Sequence, residues 1–128
     1  MRTKVFVSFD FDNDQDLKTL FCGQADHDDT PFSISDISIK EEVENNWESI
    51  ARQRIRRADQ VVVICGEYTH TANGVAKEVR IAQEEGKPYF LIRGRPKVLC
   101  SAPKGVKQTD KMYSWTWDNV AALLKGGR

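Results

Sequence analysis

One glutamate stands out because it interrupts the apolar face of a predicted helix. Glu78 lies in the segment 74–85, and residues 75, 78, 79 and 82 share one face of a helix with about 3.6 residues per turn. The other residues on that face are apolar: Val75, Val79 and Ala82. A carboxylate there costs free energy unless it is paired or lines a cleft, and such groups are candidates for functional sites. Glu78 is therefore a functional candidate, with a structural ion pair to Arg54 as the alternative.

An acidic cluster follows the first apolar run of the chain. Asp10, Asp12 and Asp14 offer oxygen ligands that suit hard cations, but the Gly and Glu that an EF-hand loop needs are missing. A phosphoacceptor receiver domain needs an Asp at the end of its third strand, where this chain has residues 64–66 (ICG). The favoured interpretation is a solvated turn whose carboxylates cap the following helix.

Metal-binding and nucleotide-binding motifs do not occur elsewhere. Cys22, Cys65 and Cys100 have no metal-ligand spacing, and Cys65 ends an apolar run, which predicts a small buried side chain. His27 and His70 each lie in a predicted loop without a second His four residues away. Walker A, GxGxxG and Gly-x-Ser-x-Gly sequences are all missing. The sequence predicts no metal site and no redox cofactor.

Charge and hydropathy exclude several classes of protein. The 128 residues include 19 basic and 19 acidic side chains, and this balance lacks the basic footprint of a nucleic-acid-binding protein. No apolar stretch approaches the roughly 18 residues of a membrane span, and no signal-peptide core follows residues 1–4. We therefore expect one cytoplasmic domain over residues 1–128, with neither a nucleic acid nor a membrane as partner.

Short apolar runs and amphipathic segments alternate along the chain. The predicted strands are Lys4–Phe9, Pro31–Asp36, Gln60–Gly66, Pro88–Ile92 and Tyr113–Trp115. The predicted helices are Asp14–Ala25, Asn46–Ala58, Gly74–Glu85 and a last helix that ends near Lys125 and is capped by Thr116 or Asp118.

This alternation predicts an α/β fold with three layers. The run 60–66 is wholly apolar after its first residue and ends in Gly, which is typical of a central strand covered on both faces. Strands that alternate with helices pair in parallel through right-handed crossovers, so we expect a flavodoxin-like sheet of five strands in the order 2-1-3-4-5. Ligands of such sheets bind at the carboxyl ends of the strands, here residues 9–14, 36–38 and 66–73.

Four segments, in this order, carry a resemblance to a known family. They are VFVSFDFDND, PFSISD, GEYTHTANGVAKEVRIAQEEGKPYFLI and MYSWTWDNVAALLKG. The chain resembles, over roughly residues 4–125, a group of TIR-like proteins that includes the TIR-like subunit of the Thoeris anti-phage defence system.

The resemblance implies a flavodoxin-like TIR fold that acts on NAD as a substrate. TIR enzymes of this kind break the bond between nicotinamide and ribose and release ADP-ribose or a cyclic ADP-ribose isomer. In Thoeris the nucleotide product is a signal to which a separate effector protein responds. Glu78 matches the family's catalytic glutamate, which lies in the helix after the third strand. A catalytically silent TIR-like module that assembles with itself or with another protein is the alternative.

Further residues near the strand ends are candidates for contacts with NAD. We expect Phe9 or Phe11 to pack against the nicotinamide or adenine ring. Thr69 and His70 precede the helix that carries Glu78, and we expect them to contact phosphate or ribose. The remaining substrate-binding candidates lie on neighbouring strand ends: Ser8, Asp10 and Asp36.

Overall fold

A continuous apolar strand forms the centre of the fold. The computed structural model describes residues 3–26, 30, 32–38 and 46–126. In the strand β3 (Gln60–Cys65), every residue after Gln60 is buried. Burial on both sides requires cover on both faces, as the sequence predicted for this segment. Cys65 is fully buried, which confirms its prediction as a core residue, and burial raises the pKa of its thiol.

Four more strands complete a parallel sheet. They are β1 (Thr3–Phe9), β2 (Phe32–Ile37), β4 (Tyr89–Arg93) and β5 (Met112–Ser114). The sheet has five strands in the order β2-β1-β3-β4-β5, and each neighbouring pair is parallel. The predicted flavodoxin-like order is therefore confirmed.

Helices cover both faces of this sheet. They are α1 (Gln15–Ala25), α2 (Trp47–Arg57), α3 (Asn73–Glu84) and α4 (Trp117–Leu124), and a short 3-10 turn spans residues 69–71. The side chain of Thr116 accepts a hydrogen bond from the backbone N–H of Asn119 at 3.1 Å. Thr116 is therefore the N-cap of the last helix, and the alternative cap, Asp118, lies in its first turn.

The two faces of the sheet form separate hydrophobic cores. On one face, β1 and β3 pack against α2 and α3. Members of this core include Phe6, Ala51, Ile55, Val63 and Val79. On the other face, the alternate residues of the same strands pack against α1 and α4. Members of that core include Val7, Phe9, Leu17, Val62 and Leu123.

A β-bulge changes which side chains of β2 face which helix layer. Val5 pairs with Ile34, but the next residue, Phe6, pairs with Asp36, so Ser35 is an extra residue in β2. Ile34 and Ile37 consequently pack against the same core although they are three residues apart. The bulge turns Asp36 toward the layer formed by α2 and α3.

None of the helices in the ranges that the structure describes is long and apolar enough to cross a membrane.

Candidate functional site

Glu78 lies on the inner face of α3 at the carboxyl edge of the sheet. Its exposed fraction is 1%, and its neighbours on that face, Val75, Val79 and Ala82, belong to the core. The inward orientation that helical periodicity predicted is confirmed. Its chemical role stays a prediction.

Two serine hydroxyls donate hydrogen bonds to the same oxygen of Glu78. The Oγ of Ser8, near the end of β1, lies 2.7 Å from Oε1 of Glu78. The Oγ of Ser38, directly after β2, lies 2.6 Å from the same oxygen. All three side chains are buried, with at most 3% of each residue exposed. We call these three residues, Ser8, Ser38 and Glu78, the serine–glutamate cluster.

The backbone positions both serines. Ser8 is two residues after Phe6 on β1 and therefore points to the same layer as Phe6, where α3 lies. The bulge at Ser35 turns Ser38 to that layer as well. The Oγ of Ser38 also accepts the N–H of Phe9 at 3.2 Å, so it bridges the end of β1 and the carboxylate.

Ser38 is a site residue that the list of candidates from the sequence left out. The rule that ligands bind at strand ends includes the segment 36–38, but the charged Asp36 was selected from it. The sequence did contain a signal for Ser38, because it is a polar residue directly after a strand, and such a residue can reach the end of a neighbouring strand. The face of the sheet to which the Ser38 side chain points could not be inferred, since it depends on the bulge at Ser35.

Asp36 lies against α2, where its partners are two arginines. Its Oδ1 is 3.8 Å from Nε of Arg54, and its Oδ2 is 3.5 Å from Nη2 of Arg57. Arg54, the ion-pair alternative for Glu78, is thus placed beside Asp36. Substrate binding by Asp36 stays a prediction.

Phe9, the last residue of β1, and Phe11 pack on the other side of the sheet. Phe9 is 2% exposed and belongs to the core formed with α1 and α4, whereas Glu78 faces α2 and α3. The ring of Phe11 stacks on that of Phe9 with centroids 5.9 Å apart. In this arrangement Phe9 reaches the serine–glutamate cluster through its backbone N–H rather than its ring.

The acidic segment after β1 is buried in part, so its interpretation as a solvated, capping turn is wrong. Asp10 is 5% exposed, and its carboxylate accepts hydrogen bonds from the N–H of Asp12 at 3.2 Å and from Nδ2 of Asn13 at 2.7 Å. These bonds close an Asx turn. Asp14 occupies the N-cap position of α1 without making a side-chain capping bond.

The side chain of Asp14 bonds to a cation from a distant part of the chain. Nη2 of Arg95 lies 3.1 Å from Oδ1 of Asp14 and 2.8 Å from Oδ1 of Asp16. Burial raises the pKa of Asp14, although the hydrogen bond from Arg95 lowers it in part. We call Asp14, Asp16 and Arg95 the aspartate–arginine cluster. It joins the start of α1 to the loop after β4.

Two glycines make room for this packing. A Cβ on Gly66 would lie 2.2 Å from Oδ2 of Asp14, and a Cβ on Gly94 would lie 2.4 Å from Cδ1 of Leu17. Gly66 directly follows β3 and Gly94 directly follows β4, so α1 begins over the carboxyl ends of these two strands.

Thr69 and His70 bond within the loops of the same edge. The Oγ1 of Thr69, fully buried, accepts the N–H of Gly66 at 2.7 Å. His70 is exposed, and its Nδ1 lies 2.8 Å from the Oγ of Ser101 in the loop between β4 and β5. Both residues shape the entrance to α3, and their contacts with phosphate or ribose stay predictions.

Comparison with known protein families places the chain in one of them. A family model described as Thoeris protein ThsB, TIR-like domain, matches residues 6–97. The chain belongs to the Thoeris ThsB TIR-like family. The match begins in β1, ends after β4 and contains the whole serine–glutamate cluster. No curated protein matches the chain.

Membership confirms the resemblance found in the sequence. Together with the order of the strands, it shows a flavodoxin-like, TIR-like fold. It supports a TIR-like role in anti-phage defence, within a system that has other components. Across the parts of the chain that the structure describes, no three His, Cys, Asp or Glu side chains are grouped to hold a metal ion.

Proposed function

We propose that the chain is a TIR-like signalling enzyme that cleaves the bond between nicotinamide and ribose in NAD. The observation that carries the proposal is the buried carboxylate of Glu78, held by two hydroxyl donors at the carboxyl edge of a parallel sheet. Ligands of such sheets bind at this edge. Membership in the Thoeris TIR-like family supports the same activity.

Cleavage breaks the C–N bond to ribose, and the electron pair leaves with nicotinamide, which departs as a neutral molecule. Positive charge remains on the sugar, as in the oxocarbenium-like transition state of glycoside hydrolysis. An ionised Glu78 stabilises that charge because a fixed negative group in a dry site acts strongly on developing positive charge. Water attacks the sugar to give ADP-ribose and a proton, or another nucleophilic atom of the same molecule attacks to give a cyclic isomer.

The closed position of Glu78 adds a condition to this proposal. With 1% of the residue exposed, the carboxylate cannot meet a ribose until the groups over it move. We therefore expect little turnover by the resting protein and an increase on activation. In this proposal the enzyme works in the cytoplasm, activation accompanies phage infection or self-association, and a separate effector protein responds to the nucleotide product.

The test measures nicotinamide released from NAD by chromatography. The protein is assayed alone, at high concentration, and with lysate from phage-infected cells. Glu78→Gln should lower the rate about 10²–10⁴-fold, because it removes a positioned carboxylate. Glu84→Gln is the matched control, since Glu84 lies on the same helix but its side chain is 49% exposed and pairs with Arg52. Equal turnover by wild type and Glu78→Gln would contradict the proposal.

The same closed position favours a second candidate function. A TIR-like module that only assembles with itself or with another protein has no need of an accessible carboxylate. If wild type releases no nicotinamide under any of the three conditions, this second function replaces the enzyme.

A further inference from the structure

We propose that Ser38 is a positioning residue that fixes the direction of the Glu78 carboxylate beside the reacting sugar. This inference rests on the proposed NAD-cleaving function and assigns a role to a residue for which the resemblance implies none.

The hydrogen bonds of Ser38 have a defined direction. A backbone N–H can only donate, so Oγ of Ser38 is the acceptor in its 3.2 Å contact with Phe9. Its own proton therefore remains for Oε1 of Glu78, 2.6 Å away. The backbone of β1 thus orients the hydroxyl, and the hydroxyl orients the carboxylate.

Ser38 differs from Ser8 in what holds it. Ser8 lies within β1 and donates to Glu78, and the backbone of the strand alone sets the direction of its side chain. Ser38 lies beyond the last residue of β2, and its bond to Phe9 ties it to the neighbouring strand. The direction of Glu78 therefore depends on two strand ends, and Ser38 is the residue that connects them.

Burial makes this contact matter. Ser38 is 3% exposed and Glu78 is 1% exposed, so water does not readily replace a lost hydroxyl. Hydrogen bonds to an ionised group are shorter and stronger than neutral ones, and low polarity strengthens them further. A misplacement of about 1 Å in a catalytic group costs roughly 100-fold in rate.

The test compares Ser38→Ala and the near-isosteric Ser38→Cys with wild type, under the condition that activates wild type. The rate of nicotinamide release is measured against NAD concentration. We expect kcat to fall roughly 10- to 100-fold in both variants, because alanine has no donor and a thiol is a weak one. KM should stay within about threefold, since the substrate contacts are intact and only the transition-state contact is lost.

Thr30→Val is the matched control. Thr30 is 4% exposed and precedes β2, at the opposite end of the strand from Ser38. Its hydroxyl makes no hydrogen bond within the ranges that the structure describes. This variant should keep the kcat of wild type, and thermal unfolding of all variants checks that each is folded.

Three results would overturn the inference. An active wild type with unchanged or raised kcat in Ser38→Ala would show that the serine does not position Glu78. An equal loss of kcat in Thr30→Val would show a general effect of buried hydroxyls. A wild type that is silent under every condition would overturn the enzymatic function itself, and the role of Ser38 with it.

Discussion

Glu78 and Asp14 are both buried at the carboxyl edge of the sheet, and their partners differ. Glu78 is held by the neutral hydroxyls of Ser8 and Ser38. Asp14 is held by the guanidinium of Arg95. The side-chain exposure of Asp14 is 2%, so both groups are removed from water to a similar degree.

The difference between the partners fits the proposed catalytic role of Glu78 and a structural role of Asp14. Hydroxyl donors carry no net charge, so these two contacts orient Glu78 without bringing a positive charge to it. A guanidinium compensates the charge of Asp14 and ties the start of α1 to the loop after β4. A cationic sugar would be stabilised by the first arrangement far more than by the second.

The substitution expected to change stability most is Gly66→Ala, which tests how tightly the aspartate–arginine cluster is packed. In Gly66→Ala, the new methyl group would overlap Oδ2 of Asp14 and force the carboxylate away from its place. We expect a loss of about 1–3 kcal/mol in the free energy of unfolding, as for other overpacked sites. Denaturant unfolding at pH 7 measures it.

Gly23→Ala is the control for this substitution. Gly23 lies inside α1, and a Cβ there would meet nothing within 4 Å. Alanine in a helix interior should raise stability by about 0.5–1 kcal/mol. If Gly66→Ala behaved like Gly23→Ala, the close packing of Asp14 against the end of β3 would be refuted.

A smaller effect, with a defined pH dependence, concerns the charge of Asp14. Burial raises its pKa above 3.8 in the folded state, so this group favours folding at low pH. That contribution is complete below 3.8 and is lost as the pH rises through the raised value. Asp14→Asn does not titrate, so its stability relative to wild type should increase across this pH range.

At pH 7, Asp14→Asn should be as stable as wild type or more stable, by up to about 1 kcal/mol. Urea unfolding between pH 3 and pH 7 provides the comparison. A relative stability that decreased with rising pH would mean that Arg95 outweighs the cost of burial. The raised pKa of Asp14 in the folded protein would then be refuted.

The smallest effect comes from an arginine-paired carboxylate on the surface. Glu85 lies 2.6 Å from Arg56 and 2.7 Å from Arg52, and their hydrogen bonds lower its pKa to about 2. Because its pKa is lower in the folded protein, ionised Glu85 stabilises the fold at any pH above 4.5, the pKa of the unfolded chain. This stabilisation is lost as the pH falls toward 2.

Glu85→Gln should therefore lower Tm at pH 7 by roughly 1–3 °C, because exposed ion pairs contribute little. The difference should become smaller in acid. Calorimetry at pH 7 and pH 2.5 measures both values. A larger loss at the lower pH would contradict the ion-pair account of this residue.

Periodicity and the rules for parallel sheets were sufficient for the fold and for two residues of the serine–glutamate cluster, Ser8 and Glu78. The order of strands follows from alternating elements and right-handed crossovers, which depend on local sequence alone. Glu78 could be found because its helix has one buried face, so a charged residue on it interrupts a regular pattern.

The other features depend on geometry that a local pattern does not contain. Ser38 faces Glu78 because of a bulge opposite the step from Val5 to Phe6. Asp14 turns from its capping position to Arg95, a partner 81 residues away. The side of the sheet that Phe9 faces could not be inferred either, because β1 is apolar on both faces and shows no alternation.

The most direct test of the difference between Glu78 and Asp14 measures variants of both residues in the same assay. Glu78→Gln and Asp14→Asn each replace a buried carboxylate with its amide, and nicotinamide release from NAD is measured for both under the activating condition. The account predicts a loss of about 10²–10⁴-fold for Glu78→Gln and a rate near wild type for Asp14→Asn. Full activity in Glu78→Gln, or an equal loss in both variants, would contradict it.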